Sequence, residues 1–276
     1  MPAFSQISRA RKAKGLEPDS LNLTDRNYWN KTWKSLEGDN ALSSFKNSLR
    51  RFFKEEALFF DLIKKHLKED GSKTVIEVGC APGSFLVAFH KHFKFSVAGV
   101  DFADLSETKK NFESNHLTGY KLYQADFLKF NPPKKFDVVS SFGFIEHFTD
   151  YERVFKKHLQ LLKKDGTLIL EVPNFNHLQG FMHRVFDQKN YRRHNTRIMN
   201  LKVLGDLCEK HRLRILYLNY YKTIDFWIDK TDNRSFIKRW LVILFHIGSV
   251  LVNSLINIPS KNFSPYIVLI AKPETG

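Results

Sequence analysis

Residues Glu77 to Phe85 read EVGCAPGSF, and the reading of this stretch decides the fold. It follows a short β-branched apolar run, TVIEV at Thr74 to Val78, which has the composition of a strand buried on both faces. Two glycines, Gly79 and Gly83, then bracket Cys80-Ala81-Pro82. Glycine permits a tight turn and a close approach of backbone to a neighbour. Pro82 stands near the start of the next helix, where a missing N–H is tolerated. A helix pattern runs from Ser84 to about Phe93. Strand, glycine turn and helix start together make a place for a ligand, because the first amides of a helix have no internal partner.

The pattern continues outward. SVAGV (Ser96 to Val100), ending in Asp101, YKLYQAD (Tyr120 to Asp126), KFDVVSS (Lys135 to Ser141) and TLILEV (Thr167 to Val172) are further strands. Helices are expected over about Asp104 to Asn115 and Tyr151 to Leu162, with a turn at Lys164-Asp165-Gly166 leading into the fifth strand. After Pro173 a long irregular basic segment is expected, then a helix near Leu201 to Lys210, a strand at Arg214 to Tyr221 and a last strand at Tyr266 to Lys272. Upstream, Leu49, Phe52, Phe53, Phe59, Phe60, Ile63 and Leu67 mark one face of an amphipathic helix that ends at Asp70-Gly71. Strands alternating with helices imply βαβ units. The fold class is therefore α/β, a doubly wound, mostly parallel sheet of seven strands with N-terminal helices. Residues 1–40 form an arm or lid, and 41–276 form the domain.

Several classes are excluded or weakened by composition. Only two cysteines occur, Cys80 and Cys208, in no metal-ligand spacing, which argues against a disulfide framework and for a reducing compartment. The N-terminus is basic but lacks the apolar core of a secretory signal, so a cytoplasmic location is expected. The net charge of +15 suits an anionic partner, whether nucleic acid, a phospholipid surface or a phosphorylated substrate, and equally a lysine-rich solvated surface.

In open α/β sheets ligands bind beyond the carboxyl ends of the strands. Asp101, about 20 positions after the glycine turn, can accept hydrogen bonds from both hydroxyls of a ribose. NAD fits poorly, because the middle glycine of GxGxxG is missing. Glu77, one turn before the loop, suits an ammonium group better than a phosphate.

Here the chain resembles the class I S-adenosylmethionine-dependent methyltransferases, in the branch of quinone-biosynthesis and sugar methyltransferases. The likeness spans Thr74 to Pro173 by motif and reaches Lys272 by strand count, with Ala81 where many members carry glycine. It implies a Rossmann-like methyltransferase fold and S-adenosyl-L-methionine as cofactor. Its methionyl part would lie against Glu77, Gly79, Ala81 and Gly83, its ribose against Asp101, its adenine against Asp126 and the backbone of Phe127, with Ser141 also in contact. It further implies that NYWNKTW (Asn27 to Trp33) covers the cofactor, and that insertions at about 174–200 and 222–262 serve the acceptor.

A hydroxyl acceptor must lose a proton, and His147, in SFGFIEHF just past the fourth strand, is the candidate base. The alternative is that Glu146 and His147 only anchor the next helix. No metal is assigned; a cation on Glu146, His147 and a later histidine such as His177 is the weaker reading. Base methylation of nucleic acid is disfavoured, because Asn131-Pro132-Pro133 precedes the fourth strand instead of following it. The acceptor is expected to be a small molecule, a saccharide or a lipid-linked compound; RNA, protein, or a non-catalytic binding role are the alternatives. Residues 236–258, within FIKRWLVILFHIGSVLVNSLINIPS, form an inserted hydrophobic helix before the last strand. It is read as an in-plane interfacial helix on an anionic membrane surface, with a pocket-lining helix or a dimer interface as the alternative. A monomer or homodimer is expected.

Overall fold

The computed structural model describes residues 22–34, 59–225 and 244–274, the last span without 246, 250, 254 and 257. The apolar runs become strands β1 (Thr74–Val78), β2 (Ser96–Asp101), β3 (Lys121–Gln124), β4 (Phe136–Phe142), β5 (Leu162–Pro173), β6 (Leu213–Tyr221) and β7 (Tyr266–Pro273). They form one sheet in the order β3-β2-β1-β4-β5-β7-β6. All neighbours from β3 to β5 are parallel, and β7 alone is antiparallel, to both β5 and β6.

The pleat explains the double winding. Val75, Val97, Val138, Ile169 and Val268 point to one face, under helices α3 (Ser84–Phe93) and α4 (Ser106–Ser114). Ile76, Ala98, Val139, Leu168 and Leu269 point to the other, under α5 (Tyr151–Leu161) and α8 (Leu201–Lys210). Successive residues of a strand alternate faces, so β-branched runs without polar alternation need cover on both sides, and both sides are covered. The phenylalanine-rich composition is used here: Phe60, Phe89, Phe93 and Phe95 are buried together on the first face.

Three expectations are corrected. The expected turn at Lys164–Gly166 is an excursion within β5: Phe136 pairs with Leu162 and Val138 with Thr167, and Lys163 pairs with the carboxylate of Asp137 at 2.9 Å. Residues 174–200 are not irregular but carry helices α6 (His177–Phe186) and α7 (Gln188–Tyr191). Of the expected helix at 45–67, the described part is a single turn, α2 (Phe60–Ile63), and residues 45–58 lie outside the described residues. Asn131-Pro132-Pro133 is, as expected, loop before β4.

The arm holds one helix, α1 (Arg26–Lys34). Asn22 bridges to Phe148, and Leu23 N–H donates to the His147 carbonyl at 2.7 Å, which ties the arm to the turn after β4.

Candidate cofactor and acceptor site

Strand order reverses between β1 and β4, and the loops after β1, β2 and β4 converge there, as ligand sites in this fold class require. The glycine loop is built as its sequence suggests, with Gly79 at φ +74° and Gly83 at φ +88°, conformations open to glycine at little cost. What lies against these glycines, however, is protein. A side chain at Gly79 would meet the Phe144 ring, and one at Gly83 would meet Phe112 and Thr108 of α4. The Gly79 amide donates to the Val100 carbonyl at 2.8 Å, fixing the turn onto β2.

Asp101 ends β2 almost fully buried and locks the loops together. Its Oδ2 accepts from the Ala81 amide at 3.1 Å and its Oδ1 from the Ala103 amide at 2.9 Å. Burial raises its pKa, against the opposing pull of these amides and of the Arg26 charge. Two hydrogen bonds leave acceptor capacity on a carboxylate, so the assigned ribose role is compatible with this geometry. A cavity beside it is lined by Asp101, Asp126, Phe127, Phe144, Phe148 and the arm residue Asn22, among others. Asp126 turns one oxygen onto the Leu128 amide at 2.9 Å.

Glu77 lies beneath the loop, buried, with Oε2 lacking any hydrogen-bond partner. Burial, then the Asp101 charge, raises its pKa well above the usual range. The Leu86 amide opposes that shift, but a buried carboxylate oxygen left unsatisfied is costly, and a cationic ligand group would satisfy it. Ser141 is a correction: its hydroxyl is fully buried and hydrogen-bonded to His158 Nε2 of α5 at 3.1 Å. Its side chain is thus committed to the helix layer and not to the cavity.

The turn after β4, a single 3-10 turn at Ile145–His147, carries the candidate base. His147 is buried; its Nδ1 lies 3.0 Å from the Arg193 carbonyl and its Nε2 3.9 Å from Glu146 Oε1. Burial lowers its pKa to about 4, despite the backbone carbonyls of Arg193 and Gly143, so the ring is neutral at pH 7. Both Glu146 oxygens are buried without partners, and burial with the neighbouring Glu171 charge raises that pKa well above normal. Donor atoms of Glu146, His147 and His194 lie within 4.8 Å of one another, a set of two imidazoles and a carboxylate that could hold a divalent cation. The third member is His194, on the loop after α7, and not His177.

Sequence reasoning missed Glu171 and His194. Glu171 looks like one more residue of a strand, yet it is buried at the end of β5 with an unpartnered oxygen, its pKa pushed up by burial to about 8. The arm closes over this turn: the Trp29 ring meets His147 edge-on at 5.0 Å, Arg193 stacks on Tyr28 at 4.1 Å, and Asn30 accepts from the Asp104 amide at 2.8 Å.

The methyltransferase-domain family matches residues 49–217. The chain belongs to that family. Class I methyltransferases of this kind use S-adenosylmethionine; a buried Glu77 oxygen without a hydrogen-bond partner and the spare acceptor capacity of Asp101 are compatible with that cofactor's ammonium and ribose. Among relatives, a ubiquinone biosynthesis O-methyltransferase of Coxiella burnetii is 30% identical over 109 residues, 38% of this chain and 45% of that protein. A (S)-coclaurine N-methyltransferase of Papaver somniferum is 27% identical over 121 residues, 42% of this chain and 34% of that protein. The chain thus spans less than half the length of these relatives. The geranyl diphosphate C-methyltransferase of Streptomyces coelicolor A3(2) superposes with a TM-score of 0.56 at 12% identity, over 99% of both chains, which shows a shared fold. These three act at oxygen, nitrogen and carbon, so the family leaves the acceptor atom open.

Proposed function

We propose that this methyltransferase-family chain transfers a methyl group from S-adenosylmethionine to a hydroxyl of a small-molecule, saccharide or lipid-linked acceptor. The observation that carries the reading is His147, a buried imidazole held neutral in the turn after β4, next in the chain to Phe148, which lines the cavity. Bound over the glycine loop, the cofactor would supply an electrophilic methyl. Direct displacement then needs alignment, which the loops after β1, β2 and β4 provide, and removal of the acceptor proton, for which His147 is positioned. The Arg193 carbonyl, 3.0 Å from Nδ1, holds the ring's orientation. The arm helix excludes water from this turn through Trp29 and Tyr28.

The test is a methyl-transfer screen over sugars, sugar nucleotides, quinone precursors and lipid-linked saccharides, with RNA included as the rival. Once an acceptor is found, His147→Ala should lower turnover about 100-fold or more, the usual weight of a positioned general base, while S-adenosylhomocysteine affinity changes far less. Equal losses in both, or turnover on RNA alone, would refute the assignment.

A further inference from the structure

The excursion between β6 and β7 leaves and re-enters the sheet at the carboxyl end of the parallel strands, since Tyr221 and Pro173 both pair with Tyr266. It therefore rises on the same side as the cofactor cavity. Its helical part, described at 244–245, 247–249, 251–253 and 255, is turned inside out. The side facing the protein is polar: Ser249 is buried and donates to Asp225 Oδ1, and Asn253 Oδ1 accepts from the Thr223 and Ile224 amides at 2.9 and 3.2 Å. The opposite side carries Leu244, Ile247, Leu251 and Leu255, spaced by three and four residues along one stripe, and Leu255 is 84% exposed.

The neighbouring helix α6 has the same inversion. It buries Gln179, Gly180 and His183 while Phe181 and Val185 stand exposed. The two are joined, because Gln179 Nε2 donates to the Asp225 carbonyl and the Leu178 amide to the Asn262 carbonyl, next to exposed Ile258 and Phe263. Among the described residues, ten of the eleven exposed large apolar side chains lie on these two segments, Ile215 being the exception. Scattered exposed apolar residues are ordinary; such a concentration marks a binding surface.

We infer that this face docks on an anionic phospholipid bilayer, with the helix lying in the interfacial plane and the mouth of the acceptor site turned toward the lipid. Charge selects lipid over a second copy of the chain: a net +15 repels its own kind and is drawn to an anionic surface. Exposed Arg184 and Lys261 adjoin the apolar stripe, and Arg234, Lys238 and Arg239 precede it in the sequence. Among the described residues no helix is long and apolar enough to cross a membrane. The inference concerns a surface apart from the cofactor cavity and stands whether or not the acceptor is ever identified.

The test is flotation of the full chain with vesicles of phosphatidylcholine alone and with about one-third phosphatidylglycerol, at low and high salt, since exposed charge attraction is screened within about 8 Å at physiological ionic strength. The chain should float with the anionic vesicles and be partly released by salt. Leu251→Asp and Leu255→Asp should each reduce binding about tenfold or more, the factor that withdrawing one leucine side chain from water is worth, with S-adenosylhomocysteine binding and far-ultraviolet circular dichroism unchanged. A chain that stays at the bottom with both vesicle types overturns the inference. So do variants that float like the wild type, or a solution dimer that Leu255→Asp splits while vesicles remain bare.

Discussion

Glu77 shows how a single residue links the cofactor to protons. Its buried carboxyl holds a proton to well above the usual range, whereas the ammonium of an amino-acid ligand group is best received by the ionised form. Binding should therefore release a proton, and S-adenosylhomocysteine affinity should rise with pH as Glu77 ionises, at pH values above the ordinary carboxylate range. Calorimetry in buffers of different ionisation enthalpy measures the release directly. Glu77→Gln should bind more weakly, by about 1.5–3 kcal/mol, and lose the pH dependence; a variant that keeps the wild-type slope would show that another group carries the proton. Glu77, Asp101 and the two loop glycines were legible in the sequence because strand end, turn and acidic residue follow one another at short range. Ser141 was not, because its hydroxyl meets His158 only once the following helix packs on the sheet. Glu171 and His194 were invisible for a similar reason: their burial comes from packing between segments far apart in the chain.

At the scale of elements, the strands were readable and their exact ends nearly so, since β-branched runs need little context. Helices α6 and α7 were not. Their buried face is Gln179, Gly180, His183 and Asn190, so the apolar periodicity that announces a helix is missing, and a side chain at Gly180 would run into the Phe175 carbonyl. The arm was expected as a lid because of the family resemblance, with no helix read at Asn27 to Trp33, and the contacts of its helix now give it measurable work. Trp29 donates to Thr24, stacks on Trp33 and covers His147. Trp29→Ala should raise the His147 pKa from about 4 toward the ordinary value by admitting water. It should also speed S-adenosylhomocysteine dissociation about 3- to 10-fold, the factor for one aromatic contact. Histidine NMR titration and stopped-flow release test the two parts; no change in either would mean that the arm is packed against the turn without guarding it.

Across the whole molecule, the sequence carried the doubly wound architecture but not the antiparallel entry of β7, because a connection as long as 222–265 lets the last strand run either way. The site end of the sheet gathers four buried carboxyls, Glu77, Asp101, Glu146 and Glu171, with buried imidazoles at His147 and His158, and the two kinds act on stability in opposite senses. A histidine whose folded pKa is depressed stabilises the fold above its unfolded value of 6.5 and loses that contribution as pH falls toward about 4. A carboxyl whose folded pKa is raised contributes below its unfolded value and loses it as pH climbs. For Glu171 that window runs from 4.5 to about 8, and above pH 6.5 the histidines are silent. Glu171→Gln keeps the shape of the side chain and removes its titration. Relative to the wild type it should therefore gain stability between pH 6.5 and 8.5, by at most about 2 kcal/mol, since the titration is complete near pH 8 and each pH unit is worth about 1.4 kcal/mol. Its alkaline slope should flatten without vanishing, since Glu77 and Glu146 still titrate in the same sense. Urea unfolding of both proteins at the two pH values provides the measurement. A difference that stays constant between them would mean that Glu171 is already ionised in the folded state, and that a partner in the acceptor site holds it so.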